Sequence, residues 1–211
     1  MAKSRALGGL LEGLFFFFVA IKTPEIENKQ KNATHIYGYL YKYIKLTYRR
    51  RILLREKEIQ KEVRKFIKNA EWRSPVAATL TLKKGISCDG FWVPVDRLHA
   101  SAALKYAMNI MDRKIYGNRV RNGSRVKRFP VFEGGEDGVR LHYHLLLDVP
   151  EHTTFEILSK NAADAWSRTQ WGYDINHFAE CDLGWVRYIT KLRTKKDFAS
   201  CIDWVNVTIR P

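Results

Sequence analysis

The chain has 211 residues, of which 45% are hydrophobic and 13% aromatic, so its composition excludes a largely disordered chain and allows a sizeable core. Its 37 Lys and Arg against 22 Asp and Glu give a formal net charge of +15, and a surface this basic attracts polyanions, of which nucleic acid is the commonest. The three cysteines form no Cys-x-x-Cys pair, which excludes a zinc ribbon and a readable disulfide framework. Composition alone does not separate a nucleic-acid-binding protein from a basic protein that is merely soluble.

The N-terminus carries an apolar run over Leu7–Ile21, preceded by Lys3 and Arg5. This order is typical of a signal peptide, but Glu12 interrupts the run and no clear cleavage site follows it. The run is also shorter than the roughly 20 residues that cross a bilayer as a helix. Two interpretations stay open: a helix docked on the body of the protein or on a partner, and a targeting or membrane-contacting segment.

A strongly basic segment follows, with fifteen Lys and Arg against six Glu between residues 22 and 73. Apolar residues recur at helical spacing over Arg49–Asn69, which predicts an amphipathic helix. Ser74-Pro75 ends this helix, so we predict a helical basic extension over residues 1–74 and a second domain over residues 75–211. The extension is expected to be either a DNA-binding or oligomerising arm, or a solvated charged helix.

After Pro75 the pattern changes to alternating strands and helices. Strands are predicted at 76–82, 91–93, 128–133, 140–149 and 171–178. Helices are predicted from Asp96 to about residue 115, from Thr153 to Arg168 and from Asp182 to about Lys195. This order predicts an α+β domain in which helices flank a central, mainly antiparallel sheet.

Two histidines on one strand indicate a metal site. His142 and His144 are two residues apart, so both imidazoles leave the same face of the sheet, and neutral imidazole suits a divalent metal. Glu133, on the preceding strand, lies on that face if the connection over 134–139 has an even length. Glu133 then pairs with Arg140, and His142 is its diagonal neighbour. An odd-length connection would turn the carboxylate to the other face unless a bulge corrected the register. The alternative is a pair of half-buried strand histidines without a metal.

Three further residues resemble metal ligands. Asp148 shares the histidine face and is an alternative carboxylate ligand, although Pro150 places it at the end of the strand. His99 lies on a predicted helix and His177 at the end of a predicted strand, and both are predicted to be ordinary polar positions.

The segment Gly184–Lys191 adds a candidate nucleophile. On a helix, Tyr188 and Lys191 stand at i and i+3, and Arg187 and Lys191 at i and i+4, so these side chains share a face. A phenol with an ordinary pKa of about 10 is a weak nucleophile, and a nearby ammonium and a metal on the scissile phosphate would both favour its attack. A tyrosine packed on the core beside an exposed lysine is the commoner outcome of this spacing.

Basic and aromatic side chains near these motifs are candidate DNA contacts. Phosphate contacts are predicted for seven basic residues, five of them in a loop that precedes the metal-binding strands: Arg119, Arg121, Arg125, Lys127, Arg128, Arg140 and Arg187. Stacking on unpaired bases is predicted for at most two of four aromatic residues, because a large aromatic side chain is more often part of the core: Trp166, Trp171, Tyr173 and Trp185.

Together these motifs resemble the HUH endonuclease superfamily, and within it the single-tyrosine initiators of rolling-circle replication. His142-Tyr143-His144 is similar to the paired metal-binding histidines of the family, and Glu133 is similar to its upstream acidic ligand. Tyr188-Ile189-Thr190-Lys191 is similar to the Tyr-x-x-Lys motif whose tyrosine attacks DNA. Thr79-Leu80-Thr81-Leu82 resembles the less specific first motif, and the motifs follow the family's order over residues 75–195.

The resemblance implies a central antiparallel sheet of about five strands, with the histidine strand in its middle. It implies one Mg²⁺ or Mn²⁺ ion bound by Glu133, His142 and His144, with Tyr188 and Lys191 as catalytic residues. The implied reaction is the nicking and joining of single-stranded or hairpin DNA through a 5′-phosphotyrosine, which initiates rolling-circle replication.

Other functions stay open from the sequence. Strand transfer of the transposase or relaxase type, non-catalytic binding of nucleic acid, and metal-dependent hydrolysis with water as nucleophile are the alternatives. The sequence contains no Gly-x-x-x-x-Gly-Lys-[Ser/Thr] phosphate loop, so we expect any helicase to act in trans. We expect the protein in the cytoplasm of a bacterial or archaeal host or in a eukaryotic nucleus, and homo-oligomerisation stays open.

Overall fold

The computed structural model describes residues 52, 54–135, 139–195 and 197–209. The chain divides into two compact units, Met1–Leu53 and Leu54–Pro211, and nearly all described residues belong to the second. The apolar run at the N-terminus and most of the basic extension lie outside the described residues. The predicted boundary after Ser74 falls inside the second unit, because residues 54–68 form a helix that enters its core. Among the described residues, no helix is long and apolar enough to span a membrane.

An antiparallel sheet of four strands forms the centre of the fold, where the family resemblance implies about five. The strands of the described residues are β1 (Pro75–Leu82), β2 (Gly85–Cys88), β3 (Phe91–Pro94), β4 (Arg128–Glu133), β5 (His142–Asp148) and β6 (Gly172–Glu180). The central sheet has the order β4-β5-β1-β6, and β2 and β3 form a separate hairpin. The histidine strand β5 is therefore an inner strand with a partner on each side.

Helices cover both faces of this sheet, as an α+β fold requires. They are α1 (residues 54–68), α2 (Arg97–Tyr116), α3 (Phe155–Ser167), α4 (Gly184–Ile189) and α5 (Phe198–Cys201), with short 3-10 helices at Gly117–Asn122 and Trp204–Asn206. One buried cluster joins the sheet to α2 and α3, and a second joins the opposite face to α1, α4 and α5. The α+β class with helices flanking an antiparallel sheet is confirmed.

The alternation of side chains along β5 explains how both clusters form. Tyr143, Leu145 and Leu147 point into the first cluster, and Leu146 points into the second. An inner strand covered on both faces is expected to be almost continuously apolar. His144 departs from this pattern, because it lies on the face of Leu146 and is only 5% exposed. A buried imidazole needs hydrogen-bond or metal partners, so this end of β5 is a candidate functional site.

Local signals set most of the helix ends. Asp96 and Thr154 cap the N-termini of α2 and α3 with their side chains. The helix predicted from Asp182 to about Lys195 is shorter, because α4 ends at Ile189. The hydroxyl of Thr190 donates to a backbone carbonyl one turn back, and the chain then leaves the helical path.

Candidate metal centre and tyrosine

The turn between β4 and β5 places Glu133 beside the histidines. Glu133 pairs directly with His142, so the predicted pairing of Glu133 with Arg140 is wrong, although the carboxylate is on the predicted face. Gly134 and Gly135 have φ angles of +94° and +90°, the left-handed region that favours glycine. A side chain at Gly134 would also collide with the carbonyl of Arg140. The two glycines therefore let the chain reverse directly after Glu133.

Glu133, His142 and His144 form a cluster whose ligand atoms all lie within 4.8 Å of one another. The two Nε2 atoms are 3.1 Å apart, and Nε2 of His144 is 3.8 Å from Oε2 of Glu133. The other ring nitrogens are already engaged, with Nδ1 of His142 at 2.8 Å from the Arg140 carbonyl and Nδ1 of His144 at 3.1 Å from the Thr79 hydroxyl. Because a carbonyl oxygen only accepts, Nδ1 of His142 carries the proton and its Nε2 offers a lone pair to the cluster.

This donor set fits a divalent cation. Two nitrogen ligands at about 2.1 Å from one ion, at right angles to each other, would be about 3.0 Å apart. The observed separation of the two Nε2 atoms is 3.1 Å. Two imidazoles and one carboxylate leave further coordination positions for substrate oxygens. Among the described residues, this is the one group of three side chains with metal-binding atoms so close together.

Two lysines that follow α4 neutralise Glu133. Nζ of Lys191 is 3.0 Å from Oε1, and Nζ of Lys195 is 2.8 Å from Oε2. The Lys195 side chain is 0% exposed, whereas that of Lys191 is 27% exposed. Burial raises the pKa of Glu133, but hydrogen bonds from Lys195 and Lys191 and the charge of Lys195 outweigh it and hold the pKa at about 2. Sequence reasoning did not identify Lys195, which lies four residues beyond the Tyr-x-x-Lys motif and has no motif of its own.

His144 is held in the neutral form that binds metals. Burial lowers its pKa to about 4, and the nearby His142 and the two lysines act in the same direction against the opposing charge of Glu133. The contact between His144 and Thr79 gives a function to the first of the three motifs, because Thr79 orients the ring of a candidate ligand.

Helix α4 presents Tyr188 to the same site. The ring centroid of Tyr188 lies 5.2 Å from that of His144, and the ring stacks on Trp185 at 4.7 Å with an angle of 17° between the planes. Nζ of Lys191 lies 4.1 Å from the centre of the Tyr188 ring. Tyr188 is 44% exposed. The ring is thus fixed on one side by Trp185 and open to solvent on another.

Helix α1 fixes the chain between Tyr188 and Lys191. Gln60 donates to the Thr190 carbonyl at 2.6 Å, and Nε of Arg64 donates to the Thr190 hydroxyl at 2.8 Å. Thr190 is fully buried. The described part of the basic extension therefore packs on the segment that carries the tyrosine and lysine. Neither a DNA-binding or oligomerising arm nor a solvated charged helix, the two interpretations from the sequence, included this contact.

The basic segment before β4 makes structural contacts. Arg128 is 4% exposed and binds both carboxylate oxygens of Asp112 at 3.1 and 2.9 Å, so the prediction that Arg128 contacts DNA is wrong. A charged side chain this deeply buried is retained for its partner and is not available to a phosphate. Arg125 donates to two backbone carbonyls of its own loop, and Lys127 donates to the Glu71 carbonyl at 2.8 Å.

The remaining basic candidates lie on the surface. Arg119 and Arg121 are exposed, but they precede the Arg128 end of β4, whereas Glu133 is at the other end. The guanidinium of Arg119 lies 5.6 Å from the centre of the Tyr116 ring, which packs on His152 beyond the Asp148 end of β5, so this side chain is at the end of the strand opposite to His142. Arg187 is exposed on α4, next to the tyrosine. DNA binding by all three stays a prediction.

Of the aromatic candidates, Tyr173 remains free to stack on a base. Trp166 and Trp171 are 0% and 6% exposed and belong to the core. Trp185 stacks on the tyrosine of α4 and donates to a backbone carbonyl of β5. Tyr173 is partly exposed on β6, and the guanidinium of Arg140 lies 4.1 Å from the centre of its ring. This cation–π pair places one positive charge and one aromatic ring together near the His142 end of the sheet.

The other candidate ligands lie outside the cluster. Oδ1 of Asp148 accepts the backbone N–H groups of Arg73 and Ser74 at 2.9 and 2.8 Å, so this carboxylate fixes the entry of the chain into β1 and the alternative that it binds metal is wrong. His99 is paired with the carboxylate that caps α2. His177 is exposed on β6 and is not part of the cluster.

One face of the sheet thus brings three side chains that could bind a metal ion together with two lysines and an accessible tyrosine. Comparison of the chain with protein-family models, with curated proteins and with solved structures found no match in any of the three. The function is therefore inferred from the chemistry of these side chains.

Proposed function

We propose that the protein is a metal-dependent endonuclease that nicks and joins single-stranded DNA, with Tyr188 as the nucleophile. One observation carries the proposal: α4 brings Tyr188 to the face of the sheet that bears the metal-binding cluster, with the Tyr188 and His144 rings 5.2 Å apart. A tyrosine that served only the core would be buried, whereas Tyr188 is 44% exposed. A nucleophile of this kind needs both the cluster and access to a polymer substrate.

In the proposed reaction, the phenolate oxygen of Tyr188 attacks the phosphorus of a backbone phosphate, and the bond from phosphorus to the 3′ oxygen breaks. The phenol proton passes to solvent, and the 3′ oxygen takes up a proton and leaves as a 3′-OH. The 5′ phosphate stays on the tyrosine as a phosphodiester. Since one phosphodiester replaces another, the reverse reaction reseals the strand without ATP. A divalent cation held by Glu133, His142 and His144, proposed to be Mg²⁺ or Mn²⁺, would polarise the phosphate as a Lewis acid.

Lys191 is proposed to assist this attack. Its Nζ lies 4.1 Å from the centre of the Tyr188 ring and 3.0 Å from Oε1 of Glu133. A positive charge there attracts the phosphate and stabilises the negative charge that develops during the attack. On the neighbouring surface, Arg140 and Tyr173 offer a charge and a ring to an unpaired nucleotide. The net charge of +15 supplies the general attraction for DNA.

The test is formation of a covalent adduct. Incubation with Mn²⁺ and single-stranded DNA is expected to give a protein–DNA species that survives denaturation and is lost with a chelator. Tyr188→Phe should abolish the adduct while DNA binding persists. Tyr106→Phe is the matched control, because Tyr106 is 55% exposed and lies on α2, away from the site. An adduct that persists in Tyr188→Phe would remove Tyr188 from the mechanism.

A second candidate function is non-catalytic binding of nucleic acid, and one observation favours it. Lys191 and Lys195 already satisfy Glu133 without any metal. This function predicts salt-dependent binding of DNA that is insensitive to chelator and to replacement of both His142 and His144 by Ala. Release of cut DNA without an adduct would instead indicate a hydrolase that uses water.

Initiation of rolling-circle replication is the biological function that we propose for this reaction. Strand transfer of the transposase or relaxase type would use the same chemistry. Cleavage confined to one origin sequence in a plasmid nicking assay would support initiation, whereas efficient joining of the adduct to an unrelated, supplied 3′-OH end would support strand transfer.

A further inference from the structure

We propose that Lys195, with Lys191, keeps the metal affinity of the cluster low until a DNA phosphate enters, so that metal and DNA bind cooperatively. This inference rests on the proposed function, because it concerns the same cluster and the same substrate. It assigns a role to Lys195, a fully buried lysine that the reaction described above does not use.

The first step is the charge of the cluster. The two ammonium groups lie 3.0 and 2.8 Å from the two oxygens of Glu133, and the metal-binding imidazoles are neutral ligands. One carboxylate with two ammoniums leaves one positive charge in excess. A divalent cation would raise this excess to three positive charges in a site shielded from solvent, where charges of the same sign repel strongly. One phosphate of DNA lowers the excess and supplies oxygen ligands at the same time.

The second step is the difference between the two lysines. Lys191 is 27% exposed and binds Oε1, so it can turn toward a phosphate when DNA arrives. The Lys195 side chain is 0% exposed and binds Oε2, and its own backbone amide is held by the Leu192 carbonyl. Lys195 therefore stays on Glu133 in both states. It fixes the carboxylate beside the histidines, and its charge opposes the metal throughout.

The third step is thermodynamic linkage. If DNA raises the affinity for the metal, then the metal raises the affinity for DNA by the same factor. Removal of one positive charge beside the cluster should tighten metal binding to the DNA-free protein and shrink this coupling. A residue with only a structural role would change stability and leave the coupling factor unaltered.

The experiment measures Mn²⁺ affinity by electron paramagnetic resonance, with and without a single-stranded thymidine oligonucleotide, in a Tyr188→Phe background that prevents cleavage. In the background protein, the oligonucleotide should tighten Mn²⁺ binding about tenfold or more. Lys195→Met should bind Mn²⁺ about tenfold more tightly without DNA and show a smaller effect of DNA. Lys195→Arg, which keeps the charge, should behave like the background. An oligonucleotide with an uncharged methylphosphonate backbone should give no enhancement.

Weaker or unchanged Mn²⁺ binding in Lys195→Met would overturn the inference. If that variant does not fold, Lys191→Met removes the other ammonium from Glu133 and must give the same tightening, or the inference fails. The proposed function fails in a different way: no Mn²⁺ would bind with or without DNA, or binding would survive replacement of both histidines. Mn²⁺ binding that needs the histidines but is independent of DNA would overturn this inference alone.

Discussion

Replacing Glu133 with Gln would leave the ammonium of Lys195 buried without a counter-ion. In the folded protein the two groups are 2.8 Å apart, and their side chains are 0% and 9% exposed. Removing one partner of a buried ion pair costs about 3–5 kcal/mol, because the remaining charge is uncompensated. For a domain of this size, 1 kcal/mol corresponds to about 2–4 °C in Tm, so Glu133→Gln should lower Tm by about 6–20 °C.

Thermal unfolding followed by circular dichroism, in the absence of metal, checks this value. Glu180→Gln is the matched control, because Glu180 is exposed on β6 and its substitution should leave Tm nearly unchanged. The double variant Glu133→Gln with Lys195→Met should recover much of the lost stability and still fail to bind Mn²⁺, since the ammonium that remains, that of Lys191, is partly exposed to solvent. If the Tm of Glu133→Gln stays within about 2 °C of that of the wild type, the reasoning is refuted, because the pair of Glu133 and Lys195 would then be effectively solvated.

Two further predictions concern residues outside the cluster. Arg64→Ala removes the hydrogen bond to the Thr190 hydroxyl, so single-turnover adduct formation should slow by about tenfold with little change in DNA affinity, whereas Lys61→Ala on the exposed side of α1 should have no effect. Arg128→Ala removes the buried partner of Asp112, which keeps only Arg125 at 3.5 Å and the Val126 N–H, and should reduce the free energy of unfolding in urea by about 3 kcal/mol. Weakened DNA binding in Arg128→Ala at unchanged stability would contradict its structural role.

The cluster could be predicted from the sequence because it depends on a short-range rule. Side chains two residues apart on a strand share a face, so His142 and His144 had to point the same way. Parity put Glu133 on their face only if the connection between the paired residues had an even length, and the pairing of Glu133 with His142 meets that condition. The pairing partner could not be predicted, because the ladder ends where Gly134 and Gly135 take left-handed angles, and a longer ladder would have satisfied the same alternation.

The rest of the site depends on contacts between residues that are distant in the chain. Lys195 reaches Glu133 only because α4 ends early, and no local pattern marks a lysine as buried. A run of basic residues before β4 predicts exposed side chains, yet Arg128 is buried, because it pairs with a buried carboxylate on α2. Tertiary packing overrides composition in both cases, since an ion pair can bury a charge that would otherwise stay in water.

The position of α1 gives a last prediction. It is the opposite of what the domain boundary predicted after Ser74 would imply. A fragment over residues 75–211 matches the predicted domain, but it lacks the buried Val63 and Ile67, which cover one face of the sheet. It also lacks the two side chains that hold Thr190 between the tyrosine and the lysine. This fragment should therefore aggregate, or unfold at a lower temperature than a fragment over residues 54–211. Equal unfolding temperatures and equal adduct rates for the two fragments would show that α1 is dispensable.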